Sequence, residues 1–214
     1  MVCEFRILID VGVVNCGISN FRSVAHALRV LEVEVAEINT GNDLRTGCTH
    51  LVLPGVGTFP ELARRLDQTG LSSTIKERAK KGDIRILGIC LGMQMLFESS
   101  EEYKGEMPGL ALLKGSCTRL EEGENVSVPH IGWNEVENTG ETRLLKGLER
   151  VEEFYFLHSY HVCPDDRSIV TSVSTHGRKF PAVIESGLIF GTQFHPEKSY
   201  KKGLHVLRNF VEFT

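Results

Sequence analysis

The period of the apolar positions changes along the chain, and each change marks an element. Residues 5–14 form a mostly apolar run, suited to a strand buried on both faces of a parallel sheet. Phe21, Val24, Ala25, Leu28 and Leu31 then recur at helical spacing, with Ser19 or Asn20 as the cap. Residues 34–38 alternate as a second strand, and His50-Leu51-Val52-Leu53 makes a third that runs into Pro54-Gly55-Val56-Gly57. Thr58-Phe59-Pro60-Glu61 has the spacing of a capping box with proline in the first turn, which predicts a helix there. Another helix covers roughly residues 72–81 and stops at Gly82, and residues 85–89 are a fourth strand. Strands alternating with helices in this way call for a mostly parallel central sheet flanked by helices.

The second half has a different rhythm. Short β-rich segments near residues 111–113, 126–128, 154–162, 169–174, 182–184 and 188–194 are separated by Gly, Asn, Asp or Glu turns. A last helix from Gly203 to about Phe213 carries Leu204, Leu207, Phe210 and Val211 near one face. No repeat, low-complexity tract or long linker divides the chain, so residues 1–214 are expected to form one α/β domain with an additional β-rich part.

Composition narrows the class. The chain has 214 residues, 41% hydrophobic and 24% charged, and a net charge of −4. That balance offers no general attraction to nucleic acid or to an anionic membrane. No run of about 18 apolar residues exists to span a bilayer, and the first residues lack the pattern of an export signal. A cytoplasmic location is the expectation. The six cysteines, Cys3, Cys16, Cys48, Cys90, Cys117 and Cys163, show neither a C-x-x-C pair nor metal-ligand spacing, which suits reduced thiols. His158 and His161 invite a metal reading, but alternation along a single strand would put them on opposite faces. No metal or cofactor is expected.

The candidate chemistry centres on Gly88-Ile89-Cys90-Leu91-Gly92, where an apolar strand gives way to a helix expected from Leu91 to about Ser99. This is the thiol form of the nucleophile elbow, a sharp strand-to-helix turn. Its glycines remove side chains that would clash in a strained backbone, and the helix start aims backbone N–H groups at a developing oxyanion. A buried cysteine between two packing glycines would give the same five letters. What favours catalysis is His195-Pro196-Glu197 directly after a strand-like run: a base for the thiol, and a carboxylate two residues on to orient it. Two oxyanion donors are expected, the Leu91 N–H and one from Gly55 or Val56, in the glycine-rich loop after a core strand.

Together these stretches resemble the class I (triad) glutamine amidotransferases. Gly88–Gln94 is similar to their nucleophile motif, Pro54–Gly57 to their oxyanion loop, and Gln193–Glu197 to their His/Glu motif. Pro129-His130-Ile131-Gly132-Trp133-Asn134, Phe154–Tyr160 and His195–Ser199 narrow the resemblance to the glutaminase subunits of imidazole glycerol phosphate synthases. It covers residues 16–213. It implies that Cys90 forms a glutamyl thioester, that His195 shuttles the proton, and that Glu197 orients His195. Gly57, Gln94, Ser159 and Tyr160 correspond to positions that hold L-glutamine. The ammonia is expected to pass to a (β/α)8-barrel cyclase in a heterodimer of histidine biosynthesis, with Pro129, His130, Trp133, Asn134, Tyr155 and Lys198 facing that partner. Trp133, the only tryptophan, suits an exposed anchor independently.

The N-terminus departs from the family pattern. Ile9-Asp10-Val11-Gly12 looks like the end of the first strand, and Asn15-Cys16-Gly17-Ile18-Ser19-Asn20 looks like it again, so either residues are inserted or the strand is shifted. Active-site motifs do not separate the histidine pathway from a paralogue feeding ammonia to a different barrel, for instance in amidino-sugar synthesis. A free-standing thiol hydrolase has little use for the partner-facing matches.

Overall fold

The computed structural model describes residues 11–17, 19–45, 48–103, 107–124 and 126–212. Strands β1 (Val11–Val14), β2 (Val35–Ile38), β3 (His50–Gly55) and β4 (Arg85–Cys90) pair in parallel in the order β2-β1-β3-β4. Helices α1 (Phe21–Val30), α3 (Phe59–Gln68) and α4 (Leu71–Lys81) form the long crossovers, with a short α2 (Gly41–Arg45) between β2 and β3. Alternation along the strands divides the core. Leu51, Leu53 and Ile86 pack with Leu62, Leu66 and Ile75 of α3 and α4 on one face. Val52, Leu87 and Ile89 pack on the other with Val24 and Leu28 of α1 and with Val206, Leu207 and Phe210 of α6 (Tyr200–Glu212).

The second half extends the same sheet. In chain order it supplies α5 (Leu91–Met95), β5 (Ser99–Ser100), β6 (Gly115–Arg119), β7 (His130–Asn138), β8 (Val151–His158), β9 (Tyr160–Pro164), β10 (Val170–His176), β11 (Arg178–Ser186) and β12 (Ile189–Thr192). β12 joins β4 in parallel, and β11, β10, β7 and β8 follow antiparallel, giving nine strands in the order β2-β1-β3-β4-β12-β11-β10-β7-β8. A separate sheet of β5, β6 and β9 lies beside it. Among the described residues no helix is long and apolar enough to cross a membrane.

Several sequence expectations need correction. The described part of the first strand ends at Val14, and Gly12 is interior to it, where a Cβ would meet Ile38 at 2.8 Å and Cys48 at 2.9 Å. The strand therefore ends at the second of the two look-alike signatures; residues 5–10 lie outside the described chain. Residues 154–162 are two strands broken at Ser159, which places His158 and His161 on different sheets. The helix after Cys90 stops at Met95 rather than near Ser99, because the carbonyls of Met95, Leu96 and Phe97 take N–H groups from Leu110, Leu112 and Ala111 instead of continuing the spiral. Residues 111–113 and 126–128 are not strands, and β6 and β7 form where the residue pattern predicts none. The box at Thr58 does not close: its side chain makes no cap hydrogen bond and Glu61 pairs with Arg65, while the neighbouring Phe59 N–H goes to Glu102 Oε2 at 2.6 Å. The final helix starts at Tyr200 rather than Gly203, and its expected end at Phe213 lies outside the described residues.

Candidate active site

Parallel register brings Gly55 at the end of β3 opposite Cys90 at the end of β4. Cys90 has φ 54° and ψ −111°, a left-handed strand-to-helix corner that a residue with a Cβ adopts only under constraint. The constraint is visible in its neighbours. A Cβ on Gly92 would lie 1.8 Å from the Leu53 carbonyl oxygen, and one on Gly88 2.6 Å from the backbone of Gly92 and Met93. Gly55 meets the same limit, 2.7 Å from the Gly92 nitrogen. These glycines let β3, β4 and α5 close around one turn.

Cys90 is 5% exposed, and its thiol points to the Leu157 carbonyl oxygen at 3.4 Å while Gln193 Nε2 donates to the sulfur at 3.6 Å. His195 lies just past β12, fixed by its own N–H to the Tyr155 carbonyl at 2.9 Å. Its Nδ1 is 2.8 Å from Glu197 Oε1, within a 3-10 turn (Pro196–Lys198), and Asn20 Nδ2 donates to the same oxygen at 2.8 Å. Both side chains are sealed from solvent. His195 Nε2 has no hydrogen bond among the described residues and is free to serve the thiol. Burial presses the His195 pKa down, but the charges of Cys90 and Glu197 outweigh it and carry it up to about 10. Burial likewise opposes ionisation of Glu197, and the bond and charge of His195 together with the Asn20 amide bring its pKa below the ordinary value.

A cavity of about 260 Å³ opens on this cluster, lined by Gly55, Val56, Gly57, Cys90, Leu91, Gln94 and His195 on one side and by Pro129, Leu157, His158, Ser159 and Tyr160 on the other. All the positions expected to carry chemistry or hold substrate, Glu197 behind His195 apart, thus line one space. Gln94 Nε2 donates to the Tyr160 carbonyl at 2.7 Å. Gly57, at φ 95°, has open space where a side chain would be.

The structure adds residues the sequence did not single out. Among the described residues Glu102 is the one acid lining the cavity; it sits in a run of glutamates and serines that gives no signal. Asn20 reads as a helix cap, yet its amide reaches Glu197 and caps nothing. The partner-facing set divides. Trp133 is 44% exposed, stacked on Tyr200 with ring centroids 5.2 Å apart, beside Tyr155 with Lys198 over it. Exposed Ile131 and Leu157 face each other on the same outer surface of β7 and β8. His130 is 4% exposed and turns inward with Asn134, while Pro129 lines the cavity itself. Among the described residues no three His, Cys, Asp or Glu gather as metal ligands.

Comparison with known proteins agrees with this geometry. The family model of class-I glutamine amidotransferases matches residues 12–213. The chain is 41% identical over 204 residues to the imidazole glycerol phosphate synthase subunit HisH of Moorella thermoacetica, covering 95% of each chain. It is 44% identical over 200 residues to the HisH subunit of Aquifex aeolicus, covering 92% of this chain and 94% of that one. A crystal structure of a glutamine amidotransferase superposes with TM-score 0.75 at 23% identity, over 94% of this chain and 97% of that one. PurLQS from Thermotoga maritima gives 0.73 at 21%, over 94% and 96%, a likeness of fold.

Proposed function

The chain belongs to the class-I glutamine amidotransferase family, and on that premise we propose that it works as the glutaminase subunit of an imidazole glycerol phosphate synthase, hydrolysing L-glutamine to glutamate and ammonia. The observation that carries this is the convergence of Cys90, His195 and Glu197 with Gly55 and Leu91 on one small cavity.

Cys90 gives its thiol proton to His195 Nε2, and the Sγ thiolate attacks the side-chain carboxamide carbon of glutamine. The N–H of Leu91 and one from the Gly55–Val56 strand end take the negative charge of the oxygen. His195 Nε2 delivers its proton to the amide nitrogen, ammonia leaves, and a glutamyl thioester remains on Cys90. His195 then removes a proton from water, which attacks the thioester; glutamate departs and the thiol is restored. Glu197, held by Asn20, keeps the imidazole in register and offsets its positive charge. Glu102 is the counter-charge for the α-ammonium of glutamine, and Gln94, Gly57, Ser159 and Tyr160 shape the cavity around the rest of the substrate.

The ammonia goes to a (β/α)8-barrel cyclase bound on the outer surface of β7 and β8. That surface carries Ile131, Trp133, Leu157 and Tyr200, each at least 36% exposed, with Lys198 beside them. One strand separates it from the thiol, since the Leu157 carbonyl touches Cys90 while its side chain faces out. The test is glutamate release by purified protein supplied with a cyclase partner. Cys90→Ala is expected to abolish release with an unchanged melting temperature; glutamate production equal to the parent's overturns the assignment.

A further inference from the structure

Behind the cavity runs a line of four polar groups whose hydrogen bonds all point one way. Asn134 Nδ2 donates to the Thr175 carbonyl at 2.8 Å and also lies 3.1 Å from His130 Nε2. An amide N–H can only donate, so His130 Nε2 accepts and the ring proton is on Nδ1. That Nδ1 is 3.1 Å from His158 Nε2, which must then accept. His158 Nδ1 therefore carries its own proton and gives it to the Tyr160 carbonyl at 2.9 Å. Both imidazoles are neutral and both are the Nδ1–H form, the less common tautomer of a free histidine. Burial favours the same state, pulling His130 down to about 4, with His176 adding to the effect, and His158 to about 3.

The last acceptor matters to the cavity. His158 and Tyr160 flank Ser159, where the chain leaves the nine-stranded sheet and enters the three-stranded one. The Tyr160 carbonyl accepts from Gln94 Nε2 and from His158 Nδ1. β6 holds the far side of this wall through Leu120 N–H to the Ser159 carbonyl at 2.8 Å and the Arg119–Tyr160 pairing, and the two side chains hold the side nearer the cavity. The line begins on β7, packed between Phe156 and His176, whose rings stack on His130 with centroids 4.8 and 4.1 Å away.

We propose that Asn134, His130 and His158 form a one-directional hydrogen-bond strut that positions the Ser159–Tyr160 wall, so that His130, which does not touch the cavity, is a positioning residue for glutamine capture. The inference rests on the glutaminase reading for its kinetic arm alone. Breaking the strut frees the wall without moving Cys90, His195 or Glu197. Glutamine affinity falls, and the chemical step does not.

The experiment compares the parent with His130→Phe, His130→Gln and Asn134→Ala in the full chain with its cyclase partner. Losing one ordinary neutral hydrogen bond corresponds to a factor of about ten. His130→Phe, which keeps a stackable ring, is expected to raise KM for glutamine about tenfold with kcat within about twofold. His130→Gln, able to accept at one end and donate at the other, restores KM. Asn134→Ala combined with His130→Phe does no more than His130→Phe alone, because both cut one line. An unchanged KM in His130→Phe, a matching loss of kcat, or additive effects overturns the strut. Nitrogen-15 NMR of the imidazoles gives a readout independent of activity. Two neutral Nδ1–H rings at pH 6.5 support the proposal, and the Nε2–H tautomer at either position refutes it. A parent that fails to hydrolyse glutamine with the tautomers as stated sinks the glutaminase reading and leaves the strut standing.

Discussion

Cys90 is held at φ 54° by what surrounds it, and the substitutions that matter most around it are those that add atoms where backbones touch. Gly92→Ala would put a Cβ 1.8 Å from the Leu53 carbonyl, against backbone that has no rotamer to give. It is expected to cost about 3 kcal/mol or more and to yield little soluble protein; a melting temperature close to the parent's would refute this account of the elbow. His195→Ala is expected to remove nearly all turnover, and Glu197→Gln less, since it leaves the base in place but badly oriented. Parent-like activity in Glu197→Gln would make that carboxylate structural. Asn20→Ala removes one of the two groups that hold Glu197 Oε1. Steady-state kinetics should show kcat down about tenfold at constant KM, the loss of one hydrogen bond to a charged group.

At the scale of elements, β3 begins with a histidine packed into the interior. His50 is 3% exposed, its ring edge-on to Phe210 of α6 with centroids 5.4 Å apart, and its Nε2 has no hydrogen bond among the described residues. Burial, with Arg85 nearby, pulls its pKa down to about 4. The sign follows from which state takes the proton. Below about pH 6.5 the unfolded chain protonates His50 and the folded one does not, so stability present above that pH drains away as pH falls toward 4. At pH 5 the loss is on the order of 2 kcal/mol. Thermal melts from pH 7.5 to 4.5 should therefore fall less steeply for His50→Leu than for the parent, and parallel slopes would exclude a buried neutral His50.

Over the whole molecule, the nine-stranded sheet sets the catalytic cavity on one side of β8 and an exposed aromatic surface on the other. The chain alone is expected to bind glutamine and hydrolyse it slowly, and to accelerate with a liganded cyclase. Completing the oxyanion hole with one further N–H beside Val56 is worth about a hundred to a thousandfold. The peptide at Val56, flanked by Gly55 and Gly57, is the one that can rotate to supply it, and Gly57 has open space where a side chain would be. Trp133→Ala or Lys198→Ala should weaken the activation and leave the unaccelerated rate unchanged. A full rate from the isolated chain would favour a free-standing hydrolase.

The residue order by itself determined the alternation of strands and helices through Cys90, the elbow, the His-Pro-Glu turn and the glycine-rich loop. Each of these is a local pattern, set by periodicity or by backbone conformations that few residues tolerate. Only the tertiary structure decided that β12 to β8 continue the first sheet, since short alternating strands carry no record of their partners. It also decided the use of groups with more than one option. Asn20 abandoned its helix end for Glu197, Glu61 left the Thr58 box for Arg65, and His130 turned from the surface into a line of hydrogen bonds. A polar side chain takes whichever partner the packing brings within about 3 Å, and that partner can be 177 residues away, as Glu197 is from Asn20.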